Sequence, residues 1–311
     1  MLTPDGGIDA SGAHAPISAA YIKDLHDKFV VQKKGKVVTV REPVPRTFFI
    51  VNTFDIFKSD MGSQELPLFS LRTKDVADCF WKSVDGETSL SVRPNSTGRA
   101  TQFDYDILIY CISALIHAKN KRLPLSQVVA FKVIDFFNAT SSSHGGKNYL
   151  LFRQALDRLQ GTVFKTNYKQ GGFIITNSFS LISGYKSVEV SSGGVVLVVE
   201  VTLSEWIFNT LLADRPHVKT INRKYFELRK AIERRLYLIA LKKVGLQGVW
   251  EIGIDALHKR LGSAQASRPH FLQSLKQIII DDRIPDFRIQ IIGEKVRFYA
   301  YDPNSIVKKF S

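Results

Sequence analysis

Reactive side chains are plentiful in this sequence, but few stand at spacings that chemistry can use. The stretch Ser142-Ser143-His144-Gly145-Gly146-Lys147 has the glycines and lysine of a phosphate-cradling loop. A Walker loop also needs glycine where Ser141 stands and serine or threonine in place of Asn148, so the pattern fails at both ends. The seven histidines, at positions 14, 26, 117, 144, 217, 258 and 270, include no pair at metal-ligand spacing and no His-x-His. The acidic pairs Asp104/Asp106 and Asp281/Asp282 fall at expected helix ends, where carboxylates cap or remain solvated. Cys79 and Cys111 cannot alone make a disulfide framework or a zinc site, and each reads as a buried thiol in a reducing cytoplasm. No catalytic residue, metal site or cofactor is expected, and the chain reads as non-enzymatic.

Charge is the positive signal. The chain carries 43 Lys/Arg against 29 Asp/Glu, a net charge of +14. Residues 119–186 hold 10 basic against 2 acidic side chains and residues 203–311 hold 20 against 11, whereas residues 1–118 are balanced at 13 against 14. Self-repulsion of that size suits a polyanionic partner. Two expected helices lie inside the basic segments, each with an apolar face and a face of long donors. In Asn148 to Leu159, the side chains Leu151, Phe152, Ala155 and Leu159 form the first face, and Lys147, Asn148, Arg153, Gln154 and Arg158 the second. In Arg268 to Ile280, Phe271, Leu272, Leu275 and Ile278 turn inward, leaving Arg268, His270, Gln273, Ser274 and Gln277 outward. Arginine can pair two donors with guanine and glutamine can pair with adenine in a major groove. Lys165, Lys169, Lys295 and Arg297, on neighbouring expected strands, suit phosphates. Double-stranded DNA is therefore the expected partner. A membrane is not, because the apolar stretch from Ile107 through Ile116 is about half of the ~18 residues that a span needs. Met1 to Ala20, with Asp5 and Asp9, does not read as a secretory signal.

The elements that must hold these faces follow from length and periodicity. A chain of 311 residues, 44% hydrophobic, can bury a sizeable core and is long enough for two domains. Residues 1–28 read as a polar arm; Phe29 to Val31, Val37 to Val40, Thr47 to Phe57, Pro67 to Leu71 and Thr88 to Val92 read as strands. Asp104 to Ala118 is an expected core helix with Asp104 as N-cap; Pro124 to Ala139 and Asn148 to Leu159 are two more. After Gly161 the period becomes two, giving strands at Thr162 to Tyr168, Phe173 to Leu181 and Val195 to Leu203. Three helices followed by a hairpin is the winged-helix plan. The plan recurs in a long helix Tyr225 to Val244, a strand Trp250 to Ile252, and helices Ile254 to Leu261 and Arg268 to Ile280. A hairpin of Phe287 to Ile292 and Lys295 to Tyr301 completes it. The expected fold class is α+β, with two tandem winged-helix (helix-turn-helix plus β-hairpin) domains: an arm at residues 1–63, a first domain at 64–203 and a second at 204–311.

Several separated blocks carry a family likeness. They include Leu66-Pro67-Leu68-Phe69-Ser70-Leu71-Arg72, Gly98-Arg99-Ala100-Thr101-Gln102-Phe103-Asp104-Tyr105-Asp106, and Leu156-Asp157-Arg158-Leu159-Gln160-Gly161-Thr162. Further blocks are Val199-Glu200-Val201-Thr202-Leu203-Ser204-Glu205-Trp206 and Tyr225-Phe226-Glu227-Leu228-Arg229-Lys230, followed by Glu233-Arg234-Arg235-Leu236-Tyr237. In this order they resemble the bacterial plasmid replication initiator protein A family, over roughly residues 64–302. The resemblance implies two winged-helix domains that bind repeated origin DNA, promote origin opening and recruit host replication proteins in the bacterial cytoplasm. The alternative is a transcriptional repressor on the same domains, acting at the chain's own promoter. The β-rich segment Phe173 to Leu203 is the expected place for a homodimer contact.

Overall fold

The computed structural model describes residues 49–50, 56–61, 64, 66–83, 86–170, 173–189, 196–213, 216–245, 248–262 and 267–301. All of them fall within one compact unit, Arg46–Ser311. The arm at residues 1–28 and the strands expected at Phe29 to Val31 and Val37 to Val40 lie outside the described residues.

The centre of the unit is α1 (Tyr105–Asn120). Every side chain from Tyr105 to Ile116 is buried, including Asp106 and Ser113, so this stretch of the helix is packed on all sides. Strand β2 (Phe57–Asp60) lies along it, where the Lys58 amide donates to Ser113 Oγ at 2.7 Å and the Ser59 and Tyr105 hydroxyls share a 2.7 Å hydrogen bond.

After α1 the chain forms β5 (Val128–Lys132), α2 (Val133–Ala139) and α3 (Gly146–Gly161). A hairpin, β6 (Val163–Gln170) and β7 (Phe173–Phe179), precedes β8 (Ile182–Glu189) and β9 (Val196–Leu203). Strand β9 sits between β5 and β8, and β1 (Phe49–Ile50) pairs with β5 in parallel, giving the order β1-β5-β9-β8. The β6–β7 hairpin instead joins β3 (Cys79–Lys82) and β4 (Thr88–Arg93) in a second sheet, β3-β4-β6-β7. A connecting segment follows: α4 (Glu205–Leu212), β10 (Val218–Ile221) paired antiparallel with β2, and a short 3-10 helix Arg223–Glu227.

The C-terminal half then runs α5 (Ala231–Lys243), β11 (Val249–Gly253), α6 (Ile254–Arg260), α7 (Arg268–Asp281), β12 (Phe287–Ile292) and β13 (Lys295–Ala300). Its sheet order is β11-β13-β12. The series α1-β5-α2-α3-β8-β9 and α5-β11-α6-α7-β12-β13 therefore share one element order. Both also place the last strand of the series between the other two. The halves differ chiefly by the inserted β6–β7 hairpin.

Several expectations are corrected. Pro124 to Ala139 is not one helix, because Val128 to Phe131 is a β-branched and aromatic run that pairs with β9, and cross-strand pairing outweighs its incidental helical spacing. Tyr225 to Val244 is interrupted, since Leu228 and Lys230 adopt extended backbone (ψ 120° and 130°) and α5 starts only at Ala231. Pro67 to Leu71 forms no strand beyond a single bridge from Ser70 to Thr101. Asp104 stands at the N-cap of α1 without a side-chain capping bond. Cys79 is half-buried, whereas Cys111 is buried. Sequence reading missed β3, β8, α4 and β10.

The halves are fastened by close packing. Gly262 has φ +68°, and a Cβ there would stand 2.5 Å from Pro67 Cβ, so glycine alone fits. Buried Arg235 of α5 donates to Gln64 Oε1 at 2.8 Å and to the Leu66 carbonyl at 3.0 Å.

Candidate nucleic-acid interface

Helix α3 enters through the turn Thr140 to Gly145. Ser141 takes a positive φ of 54°, and the Thr140 hydroxyl donates to the Phe136 carbonyl at 2.8 Å, closing the end of α2. The inner face of α3, formed by Tyr149, Phe152, Ala155, Leu156 and Leu159, is buried. Phe152 meets Phe136 at 5.3 Å and Phe131 at 6.4 Å, within the aromatic cluster under the helix. Leu151, expected inside, is 45% exposed. Gly161 ends the helix against Asn95, whose Nδ2 would lie 2.3 Å from an added Cβ.

The donors expected on α3 separate by partner. Lys147 is exposed. Asn148 folds back, its amide donating to Ser143 O at 2.7 Å and Oγ at 2.8 Å. Arg153 pairs with Glu189 of β8 at 2.8 Å, and Gln154 is half-buried. Arg158 is turned inward: Nε and Nη2 each donate at 2.7 Å to the two oxygens of Asp104, forming a bidentate pair whose side chains are 13% and 4% exposed. Position 158 lies three residues after buried Ala155, on the side of α3 that meets the start of α1. Burial opposes the Arg158 charge, but the Asp104 carboxylate holds its pKa above the ordinary value.

Helix α7 presents a different surface. Phe271, Leu275 and Ile278 are buried, while Arg268, His270, Gln273, Ser274 and Gln277 are all exposed. Ser267 occupies the N-cap, but its hydroxyl pairs with His270 Nδ1 at 2.7 Å instead of capping the backbone. Arg268 reaches Asp255 of α6 at 2.7 Å and also Glu294 in the β12–β13 turn; both carboxylates are more than three-quarters exposed. Gln273, Ser274 and Gln277 line a groove of about 700 Å³ with Arg72, Arg229 and Lys230. On the adjoining sheet, Arg297 pairs with Glu251 at 2.6 Å and Lys295 lies 3.8 Å from the same carboxylate. Lys165 of β6 is exposed; the Lys169 side chain lies outside the described residues.

Sequence reasoning missed the charged centre between the halves. Glu233, Arg234 and Arg235 are all buried, although they lie together as a charged run within the expected helix Tyr225 to Val244. Arg234 donates to Asp106, to the Leu228 carbonyl at 2.8 Å and to the Phe226 carbonyl at 2.9 Å. Its guanidinium also lies 4.6 Å from the Phe103 ring centroid. Burial pushes the Asp106 carboxyl up to about 6, against the opposing pull of Arg234. The run Glu-Arg-Arg beside a tyrosine was the available signal, but a charged run reads as solvated unless a second packed surface is known.

The profile of the replication initiator protein A family matches residues 58–289, which span both halves of this architecture. The chain belongs to that family. A relative from Wigglesworthia glossinidia brevipalpis, named "Putative replication protein", is 32% identical over 276 residues, covering 86% of this chain and 94% of its own. Among solved structures, domains 2 and 3 of RctB superpose with a TM-score of 0.57 at 12% identity, over 78% of this chain and 98% of that one. A second structure of the same RctB domains gives a TM-score of 0.51, also at 12% identity, over 80% and 99%. At that identity the likeness concerns fold. For this replication initiator it agrees with the mixed α and β architecture described above. Among the described residues no helix is long and apolar enough to cross a membrane, and no three His, Cys, Asp or Glu side chains group as metal ligands.

Proposed function

We propose that this replication initiator binds repeated origin DNA through two winged-helix domains, residues 64–203 and 204–311, with α3 and α7 each entering a major groove. The observation that carries the reading is the topological repeat: helix, strand, two helices and a hairpin occur twice, and in each case the third helix carries long donors. Phosphate contacts from Lys165, Lys295 and Arg297 fix the register, while Gln273, Ser274, Gln277, Arg268 and His270 reach base edges from α7. On α3 the corresponding contacts fall to Lys147, Asn148, Arg153 and Gln154, and Arg158 holds the helix in place. The exposed ion pairs of Arg268 and Arg297 do not oppose this, since solvated pairs are weak and a phosphate or base can replace the carboxylate. The binding free energy drives local duplex opening and the recruitment of host replication proteins, without a catalytic step.

A hydroxyl-radical footprint on tandem origin repeats tests the reading. Two protected patches centred about one helical turn, ~10 base pairs, apart are expected. Gln273→Ala with Gln277→Ala should relax base preference in one patch only. A single patch, unaltered by the α7 substitutions, overturns the two-helix mode. Magnesium-dependent nicking by the homogeneous protein overturns the non-catalytic one.

A further inference from the structure

The β6–β7 hairpin, by which the halves chiefly differ, builds a sheet with β3 and β4 that has no counterpart in the C-terminal half. One side of that sheet is packed, with Leu90, Val92 and Phe164 buried. The other side faces solvent, and the ladder register sets Phe80, Ser91, Lys165 and Ser178 in one row across all four strands. At strand spacings near 4.8 Å that row is about 14 Å long. Beside it Arg93 stands opposite Val163 on one flank, and Lys82, Ser89, Asn167 and Thr176 form a second row on the other. Phe80, Arg93, Val163 and Lys165 line a depression of about 530 Å³ on this face, and Asp78 is the one carboxylate among its lining residues.

Charge and shape narrow the occupant. The four strands contain no Asp or Glu in their sequences. Lys82, Arg93 and Lys165 are exposed, and among the described residues none of the three has an ion-pair partner. On the C-terminal half, by contrast, Arg268, Lys295 and Arg297 each meet a carboxylate. The face therefore suits an anion, and the Phe80 ring, 65% exposed in the same depression, suits a flat apolar surface. Duplex DNA supplies the charge but not the surface: its bases are stacked inside, and its major groove admits a helix or a two-stranded ribbon, not a four-stranded face. An acidic peptide would meet the cations, yet protein interfaces centre on an apolar core depleted of lysine, and here Phe80 and Val163 are interleaved with Arg93 and Lys165. An unpaired strand offers a phosphate to each cation and an open base face to the phenylalanine.

We propose that the outer face of the β3-β4-β6-β7 sheet binds single-stranded DNA, with a base stacked on Phe80 and backbone phosphates on Lys82, Arg93 and Lys165. The source of the strand rests on the DNA-binding reading above: Lys165 meets a duplex phosphate before opening and a phosphate of the separated strand after it. Holding that strand opposes reannealing. The site does not depend on which grooves α3 and α7 occupy.

The test is fluorescence anisotropy of the full chain with a labelled thymine-only oligonucleotide, which cannot pair with itself, and in parallel with duplex origin repeats and a glutamate-rich peptide. Phe80→Ala should bind the oligonucleotide about 5- to 150-fold more weakly, the range for one lost base–aromatic stack, with duplex affinity unchanged. Phe80→Trp should bind at least as tightly as the wild type, whereas Phe80→Leu, apolar but without a ring, should resemble Phe80→Ala. Arg93→Ala should lower the salt slope for the oligonucleotide by about 0.7, one single-strand phosphate. Both positions are exposed, so thermal melts should match the wild type. No oligonucleotide binding, binding unaffected by Phe80→Ala, or full affinity in Phe80→Leu overturns the site. An equal loss on duplex repeats assigns the face to duplex DNA, and a peptide bound as tightly as the oligonucleotide assigns it to a protein partner; either overturns it too. Oligonucleotide binding with a failed duplex footprint refutes the two-helix reading and leaves this site standing.

Discussion

Helices α3 and α7 occupy the same position in the same topological plan, yet they use their arginines in opposite ways. On α3, Arg158 is drawn into a bidentate pair with buried Asp104, so its guanidinium serves to tie the helix to the start of α1. On α7, Arg268 spans two highly exposed carboxylates from other elements, Asp255 and Glu294. One arginine is structural because its partner is buried out of reach of water; the other remains exchangeable because water can replace either partner. The same residue type on equivalent helices thus separates by the burial of the carboxylate, not by its own position along the helix.

The largest expected effect tests this contrast directly. Arg158→Ala leaves the Asp104 carboxylate buried with only the Thr101 amide, 2.7 Å away, and should cost about 3–5 kcal/mol of stability in urea unfolding. Arg268→Ala should leave the unfolding midpoint unchanged while weakening DNA binding. Equal losses of stability from the two substitutions would break the comparison.

Next in size is a pH effect at the junction of the halves. The Asp106 carboxyl is raised from 3.8 to about 6, first by burial and despite Arg234. Folding therefore favours its neutral form. The stability contributed by Asp106 relative to Asp106→Asn should be full below about pH 4 and fall by about 3 kcal/mol as pH rises through 6. Parallel wild-type and variant unfolding curves across pH 4 to 7.5 measure it. A constant difference would mean that the Arg234 pair fully offsets burial.

The smallest effect belongs to the β11-β13-β12 sheet. Lys295 is 66% exposed and only loosely paired with Glu251, so Lys295→Ala should leave stability unchanged. It should weaken binding to all DNA sequences alike, reducing the slope of log affinity against log salt by about 0.9. A sequence-dependent loss would instead make Lys295 a base contact and bring the wing of the C-terminal half into specificity.

Much of this contrast was legible in the sequence for α7 and little of it for α3. Arg268 to Ile280 has regular apolar spacing, a serine before it and proline in its first turn, and its donors emerge where the period places them. In α3 the same periodicity located the helix but not the fate of its sides. Arg158 and Leu151 stand at neighbouring angles, and the pair with Asp104 at the start of α1 draws the arginine inward while the leucine stays exposed. The charged centre was illegible for the same reason: Arg234 is buried by residues more than a hundred positions earlier, as its pair with Asp106 shows. Strand β5 was misread because five residues can satisfy both periods, and only β9 decides between them.

The two-stranded ribbon of β2 and β10 sets an order of events during synthesis. Strand β2 can settle against α1 as soon as that helix exists, through the Lys58–Ser113 hydrogen bonds, but one of its edges has no mate until β10 emerges. At roughly 5–20 residues per second that wait is on the order of ten seconds. On this order the N-terminal half should emerge with that strand edge bare, and the segment that closes it is also the one that leads into the C-terminal half. A nascent chain halted before Val218 should expose that edge to chaperones, and one released after Ile221 should not.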